Sequence, residues 1–424
     1  MQVHKFGGAS VKDAKAIINV GTIIQEKLNG SNLIVVSAMG KTTNLVEKLV
    51  RSYFDKEDYI PYFNQLKQQH LSVANELGIA QEYIDDLNEL FVSVEWTLEE
   101  EPIDDYPYYY DQIVSVGELL SSKILTGYLL TIGVNAEFLD VRDILITDDS
   151  YMEAKVDWSR TEKNVEDKLK SKIDTTKFFV TQGFIGSTNE NNTTTLGREG
   201  SDFTGAVFAY CCNAESLTIW KNVTGVMTGD PSVFDNVNLI ERLSFTEAIE
   251  MTYYGAKVIH PKTIKPLQNK SIPLHVKSFI DPDTNGTVIS QEQIMTYPPI
   301  IVLDKDQALI HISANDFSFV AESHLTQIFS TIAKHRLKVN LMRNTAISFS
   351  VCVTKQMDKI EHVIKDLSEE FKVVLESDLE LITIRHYTDQ VIDEMKKNKI
   401  VLFEEKLAKM IQLVVKDVPL MTRK

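Results

Sequence analysis

Lys5-Phe6-Gly7-Gly8-Ala9-Ser10-Val11 is the stretch in which a short strand passes through a glycine turn into a helix. Val3 and Phe6 mark the apolar strand, and the paired glycines let the backbone approach a ligand closely. Ser10 occupies the position of a helix N-cap, ahead of the periodic stretch Val11–Leu28. Free N–H groups at a helix start favour an anion, and Lys5 adds a full positive charge beside them. A Gly-Gly turn near a lysine also serves as an ordinary strand-to-helix connection, so its meaning depends on the rest of the chain.

Outward from this turn, apolar strands and amphipathic helices alternate over two-thirds of the sequence. Strands are expected at Val3–Lys5, Leu33–Ser37, Ala136–Val141, Phe178–Gln182, Leu217–Lys221 and Ile272–Val276. Helices are expected between them, including Val11–Leu28, Ile113–Leu130 and Phe203–Cys211. The unbroken run Leu33-Ile34-Val35-Val36 marks a strand buried on both faces. The fold class is therefore α/β, a mostly parallel sheet sandwiched by helices. Residues 55–105 interrupt the alternation with polar helical stretches, Phe63–Leu77 and Gln81–Glu101, and read as a helical insertion that is a candidate cover for the site. A turn cluster at Asp281–Thr287, followed by Tyr297-Pro298-Pro299, ends a first domain over 1–290. Over 298–424 the pattern becomes β-α-β-β-α-β, with a second, incomplete copy behind it.

The length of 424 residues exceeds one ordinary core, and 43% hydrophobic with 25% charged residues fits a globular protein. The net charge of −16 argues against nucleic acid or an anionic membrane as main partner, but not against a small anion held by local charge. Cys211, Cys212 and Cys352 show no metal spacing, and the first pair lies in an apolar helix as core thiols. A chain opening directly on a strand, without an apolar run of membrane-spanning length, is expected in a reducing cytoplasm.

Loops just after strands carry most weight in an open α/β sheet. Ser37-Ala38-Met39-Gly40-Lys41-Thr42-Thr43-Asn44 follows the second strand, and its small residues, hydroxyls and lysine suit oxyanion recognition. It reads equally as a glycine turn capped by Thr43. Thr193-Thr194-Thr195-Leu196-Gly197-Arg198-Glu199-Gly200-Ser201-Asp202 places an arginine between glycines just before a helix, where its guanidinium can fork onto a carboxylate or phosphate. Ser201 or Asp202 could be no more than the helix cap. Trp220–Pro231 forms a strand end and two turns, and Tyr254–Pro261 contains Lys257; each alone reads also as a surface loop.

Together these stretches resemble the aspartokinase family within the amino-acid kinase superfamily. Lys5-Phe6-Gly7-Gly8, Ser37-Ala38-Met39-Gly40, Gly117-Glu118, Gly197-Arg198-Glu199-Gly200-Ser201-Asp202, Thr228-Gly229-Asp230-Pro231 and Gly255-Ala256-Lys257-Val258-Ile259-His260-Pro261 match it in order over residues 1 to about 290. The resemblance implies ATP and Mg²⁺ as cofactors and L-aspartate as acceptor, with 4-phospho-L-aspartate as product. It implies that Lys5, Lys257 and Asp202 are catalytic, the lysines holding the triphosphate and the transferred group. Ser37, Thr43, Glu118, Arg198 and Ser201 would bind substrate, Arg198 clamping a carboxylate while Glu118 or Asp202 faces the ammonium. Gly7, Gly8, Lys221, Asn222, Thr228 and Asp230 would lie along the nucleotide, with no metal held by dedicated protein ligands. Such chemistry is sensible for a carboxylate, already an anion at neutral pH, which needs charge neutralisation more than a general base.

The sequence departs from the family pattern at Ala9, where Thr or Ser is usual, and at Asn222, Met227 and Ser232, where Asp, Tyr and Arg are common. The C-terminal part resembles, more weakly, a paired ACT regulatory module, which implies a homodimer and a feedback amino acid. Glu322-Ser323-His324 replaces the small glycine-containing turn that meets an effector in that family. A kinase for another acceptor such as glutamate or carbamate, and a weakly catalytic amino-acid sensor, are the alternatives. Retention of Lys5, Arg198 and Lys257 argues against the sensor.

Overall fold

The computed structural model describes residues 1–169, 172, 176–256, 259–294, 296–315, 319 and 321–418. The chain divides into two compact units. The first comprises Met1–Val226, Leu239–Ile249 and Lys257–Ile294; the second comprises Met227–Asn238, Glu250–Ala256 and Met295–Lys424.

In the first unit, β1 (Gln2–Phe6), β2 (Asn32–Val36), β3 (Ala136–Leu139), β4 (Phe178–Gln182), β7 (Leu217–Lys221), β8 (Arg242–Ser244), β9 (Leu274–Ser278) and β10 (Thr287–Ser290) form one sheet. Its order is β3-β4-β2-β1-β7-β9-β10-β8, parallel from β3 to β9, with β10 antiparallel to β9. A two-stranded hairpin of β5 (Ile185–Ser187) and β6 (Thr193–Thr195) stands apart from it. The helices are α1 (Ala14–Lys27), α2 (Thr42–Phe54), α3 (Ile60–Leu77), α4 (Gln81–Glu99), α5 (Tyr106–Val114), α6 (Val116–Thr131), α7 (Trp158–Lys168), α8 (Gly200–Cys211), α9 (Phe245–Tyr253), whose residues from Glu250 on are assigned to the second unit, and α10 (Pro261–Asn269). All five residues of β2 are buried, as a strand with helices on both faces requires. The mostly parallel, helix-covered sheet is the fold class the periodicity indicates.

Three local expectations are corrected. Ser10 caps nothing: it lies in a 3-10 turn over Gly8–Val11 with its hydroxyl donating to the Gly7 carbonyl at 2.6 Å. Helix α1 begins three residues later because the Asp13 carboxylate accepts the Ala16 N–H at 2.8 Å. Thr43 does not cap α2 either; Thr42 precedes it in the helix and donates to the Met39 carbonyl. The helix expected at Ile113–Leu130 is two, α5 and α6, broken at Ser115. Their combined span Tyr106–Thr131 is long and apolar enough to cross a membrane by length and composition, contrary to expectation. Its apolar window is 89% buried in the fold, the signature of a core helix.

The second unit contains a six-stranded antiparallel sheet, β12-β13-β11-β14-β16-β15. Its strands are β11 (Ile300–Ala314), β12 (Val339–Asn344), β13 (Ser348–Thr354), β14 (Phe371–Arg385), β15 (Lys399–Lys406) and β16 (Met410–Asp417), with α11 (Glu322–Lys334), α12 (Met357–Leu367) and α13 (Asp389–Lys396). The strands expected at Ile300–Leu303 and Ala308–Ser313 are one strand, β11, whose ladder with β14 shifts register between Asp304 and Leu309. The long pair β11 and β14 is shared by both copies of the repeat, an arrangement consistent with an ACT-like regulatory sheet. Glu322-Ser323-His324 forms the first turn of α11, where the His324 ring accepts the Ala321 N–H, rather than a loop ahead of it. Within the same unit Ile301 N–H donates to the Thr228 carbonyl at 2.8 Å, and Arg385 pairs with Glu250 at 2.9 Å.

Candidate active site

The site is built where β1, β2, β4 and β7 end together. Lys5 on β1 lies level with Val35 of β2 and Ile219 of β7 in the ladders. Its ammonium is almost wholly buried and sits 2.6 Å from Asp202 Oδ1 on the first turn of α8. Lys221, the last residue of β7, lies 3.7 Å from Asp202 Oδ2. Burial pushes the Asp202 carboxyl toward protonation, but the two lysines overcome it and hold its pKa below the ordinary range.

Close packing fixes this triad. A Cβ on Gly205 of α8 would touch Leu217 at 3.1 Å and the Lys5 Cβ at 3.6 Å, so the helix lies directly against β1. A Cβ on Gly8 would meet the carbonyl oxygens of Ala38 and Gly40 at 2.7 and 2.9 Å, and only glycine fits there. The Gly40 N–H in turn donates to the Gly8 carbonyl at 3.0 Å, which joins the turns after β1 and β2. Gly7 stands over Lys5, its Cβ position 3.4 Å from the ammonium.

Glu118 lies on the first turn of α6 and is 3% exposed, which excludes a helix-surface acid. Its Oε1 accepts the Ala38 N–H at 3.3 Å, while Oε2 has no hydrogen-bond partner. Burial pushes its pKa up to about 8, only partly opposed by the hydrogen bond from the Ala38 N–H and, less, by the positive charge of Lys5. Ser121, one turn on, donates to the Ser37 carbonyl at 2.7 Å, so α6 holds the turn that leads from Ser37 into α2 and Thr43. Ser201 packs against Gly183 at the end of β4, where a Cβ would approach Ser201 Cβ to 2.5 Å.

Arg198 contrasts with these. It is exposed, follows Gly197 in a left-handed turn (φ +72°), and has no ion-pair partner among the described residues. Its neighbour Glu199, also left-handed (φ 54°), accepts the His260 N–H at 3.0 Å. Asn222 is exposed just beyond Lys221. Lys257 lies outside the described residues. Thr228 and Asp230 belong to the second unit, where Thr228 closes a turn with Asn238 and Asp230 accepts from the backbone and hydroxyl of Ser232.

Two site-supporting residues escaped sequence reasoning. Asp111 and Gln112 on α5 are the partners of β6, and an acid beside an amide in an apolar helix was the available signal. Helices α3 and α4 pack into the hydrophobic core with α1, α2 and α6. A cleft of about 770 Å³ between α2 and α3 is lined by Lys12, Lys41 and Lys48 and by none of Lys5, Ser37, Glu118 and Asp202. Among the described residues no group of three His, Cys, Asp or Glu could hold a metal ion.

A buried lysine and a half-buried one on a single carboxylate, a glycine-lined turn beside them, a buried acid and an exposed arginine are the residue types a phosphotransferase site for an amino acid requires. The model of the amino acid kinase family matches residues 1–278, and the chain belongs to that family. Within it the chain is an aspartokinase by sequence. It is 30% identical over 420 residues to aspartokinase 3, chloroplastic, of Arabidopsis thaliana, covering 94% of this chain and 69% of that one. It is 29% identical over 392 residues to lysine-sensitive aspartokinase 3 of Escherichia coli (strain K12), covering 90% and 86%. The crystal structure of E. coli aspartokinase III with lysine and aspartate superposes with a TM-score of 0.83 at 26% identity, over 99% of this chain and 96% of that one. The same enzyme with aspartate and ADP gives 0.81 at 26% identity, over 98% and 96%.

Proposed function

We infer that this chain transfers the γ-phosphoryl group of ATP to the side-chain carboxylate of L-aspartate, giving 4-phospho-L-aspartate and ADP. The Lys5–Asp202–Lys221 cluster carries this reading, because it stores two cations where two anionic reactants must meet. In the reaction a carboxylate oxygen bonds to the γ-phosphorus while the bond to the bridging oxygen of ADP breaks. Negative charge spreads over the phosphoryl oxygens in flight, and fixed cations already desolvated stabilise it without reorganisation. Asp202 holds both ammonium groups in place. The amides around Gly7 and Gly8 add donors that no side chain obstructs.

Because Asp202 is engaged by two lysines, the substrate ammonium falls to Glu118. Its uncompensated Oε2 and raised pKa describe a carboxyl awaiting a cation. Arg198 supplies the fork for a carboxylate, with Ser37, Thr43 and Ser201 around it. Lys257 joins Lys5 by resemblance alone, and so do Asn222, Thr228 and Asp230 along the nucleotide. Mg²⁺ arriving with the nucleotide would supply further charge neutralisation beside Lys5 and Lys221. The ACT-like sheet suits a homodimer with a feedback amino acid, and three free thiols suit a reducing compartment, the cytoplasm. A coupled ADP-release assay with L-aspartate, L-glutamate or no acceptor tests the assignment; turnover with glutamate alone rejects it.

A further inference from the structure

Asp111 and Gln112, consecutive on α5, grip strand β6 at both ends. Asp111 is wholly buried; its Oδ2 accepts the backbone N–H groups of Thr195 at 2.7 Å and Met152 at 3.0 Å, and its Oδ1 accepts the Thr195 hydroxyl at 2.7 Å. Gln112 Nε2 donates to the Thr193 carbonyl at 2.8 Å, and the Thr193 N–H donates back to Gln112 Oε1 at 3.1 Å. The amide thus mimics a neighbouring strand. Beyond β6 the chain enters the turn bearing Arg198, and beyond α5 it enters α6 bearing Glu118. The Arg198 turn also leans on the segment that Asp111 holds, since a Cβ on Gly197 would lie 3.1 Å from the Met152 carbonyl.

We propose that Asp111 and Gln112 are positioning residues that set the span between Glu118 and Arg198, and with it the length of amino acid the enzyme accepts. This rests on the reading of Glu118 and Arg198 as the ammonium and carboxylate partners. Arg198 has no ion pair among the described residues, so its place is set by the turn between β6 and α8, which Asp111 and Gln112 hold at its β6 end while the Lys262–Leu196 and Glu199–His260 bonds hold it further on. A buried carboxylate is a stiff reference point, because its desolvation is offset only while its donors converge on it. Aspartate and glutamate differ by one methylene, a difference an enzyme resolves only about 10–200-fold, and misplacement by about 1 Å erodes it.

The test uses the full chain in the ADP-release assay with L-aspartate and L-glutamate. Asp111→Asn removes the buried negative charge and replaces one oxygen with an NH₂, which the Thr195 hydroxyl can meet only by turning from donor to acceptor, so the charge-assisted grip on β6 is lost. The expected result is an aspartate KM raised about tenfold or more, kcat and the KM for ATP within about threefold, and an aspartate-to-glutamate preference in kcat/KM reduced about tenfold. Thr195→Ser, which keeps every donor, leaves all of these at wild-type values. A folded Asp111→Asn enzyme with unchanged preference, or with kcat lowered and KM unmoved, overturns the proposal. If Asp111→Asn does not fold, Gln112→Met, which removes only the two bonds to Thr193, is read by the same criteria. Wild-type enzyme inactive on aspartate would instead reject the underlying functional reading.

Discussion

The two sides of the candidate site are built on opposite principles. On the proposed phosphate side Lys5 and Asp202 are buried and Lys221 is half-buried; both lysines pair with Asp202, and Gly7 and Gly205 pack closely against Lys5. On the proposed amino-acid side Glu118 has an oxygen without a hydrogen-bond partner and Arg198 stands exposed without an ion-pair partner among the described residues. A transition state gains most from charges that need no rearrangement, so the cations that serve it are fixed beforehand. A substrate gains most from groups whose pairing waits for it, so the groups that recognise it are left unsatisfied. The contrast predicts which kinetic constant each substitution moves.

The largest effect is expected at Lys5. Lys5→Met removes the more deeply buried cation and leaves Asp202 with Lys221 alone, so kcat should fall about a thousandfold while the KM for aspartate changes little. Single-turnover measurement at saturating ATP separates this from a binding defect. A Lys5→Met enzyme with near-normal kcat would end the comparison, because the prebuilt side would then not serve the reaction.

Arg198→Gln should do the converse. Losing a charge-assisted fork is expected to raise the KM for aspartate about 30–100-fold, with kcat within a few-fold. The residue is exposed, so the melting temperature should not move. A loss confined to kcat would transfer Arg198 to the phosphate side.

Glu118 sharpens the comparison through pH. Its ordinary pKa of 4.5 is raised to about 8 in the ligand-free fold by burial. Only the ionised form pairs with an ammonium, so aspartate affinity should improve as pH rises toward about 8 and then level off. Stability runs the other way. The fold favours the protonated carboxyl, a contribution fully present below pH 4.5 and lost as pH climbs through about 8. Glu118→Gln should therefore flatten both dependences, read by calorimetric titration and by thermal melts across pH 5–9. A wild-type affinity independent of pH over that range would show that Glu118 does not meet the ammonium.

What the sequence discloses follows the same division. Strands β4 and β7 are legible to the residue, and β1 and β2 to within one, because parallel strands covered on both faces are written as contiguous apolar runs. Lys5 stands out as a charge within such a run, whereas Glu118 and Asp202, on helices, read equally as a surface acid and a cap and are marked only by the family resemblance. Hairpin β5–β6 is not legible. Thr193-Thr194-Thr195 reads as a polar loop, yet all three residues are buried because Gln112 and Asp111, some eighty positions away, satisfy Thr193 and Thr195, and Thr147 meets the Thr194 hydroxyl. Polar burial depends on partners distant in sequence, which local pattern cannot show. The break at Ser115 is hidden for a related reason, since the apolar pattern continues across it.

The smallest expected effect tests a reading that the structure reversed. Ser10 and Asp13 both precede α1, and both residue types make good N-caps. Ser10 spends its hydroxyl on the Gly7 carbonyl inside the 3-10 turn, whereas Asp13 accepts the Ala16 N–H and brings a negative charge to the helix start. Asp13→Ala should then cost about 1 kcal/mol of stability and leave kcat and both KM values intact, since α1 is anchored independently by a buried face including Ile17, Val20 and Ile24. Ser10→Ala should cost the helix nothing but loosen the turn that presents Gly7 and Gly8, so its effect should appear in the KM for ATP instead. Denaturation midpoints and nucleotide kinetics for the two variants separate cap from cradle. An Asp13→Ala variant that lost ATP affinity while Ser10→Ala lost only stability would return the cap to Ser10 and move the start of the helix into the phosphate turn.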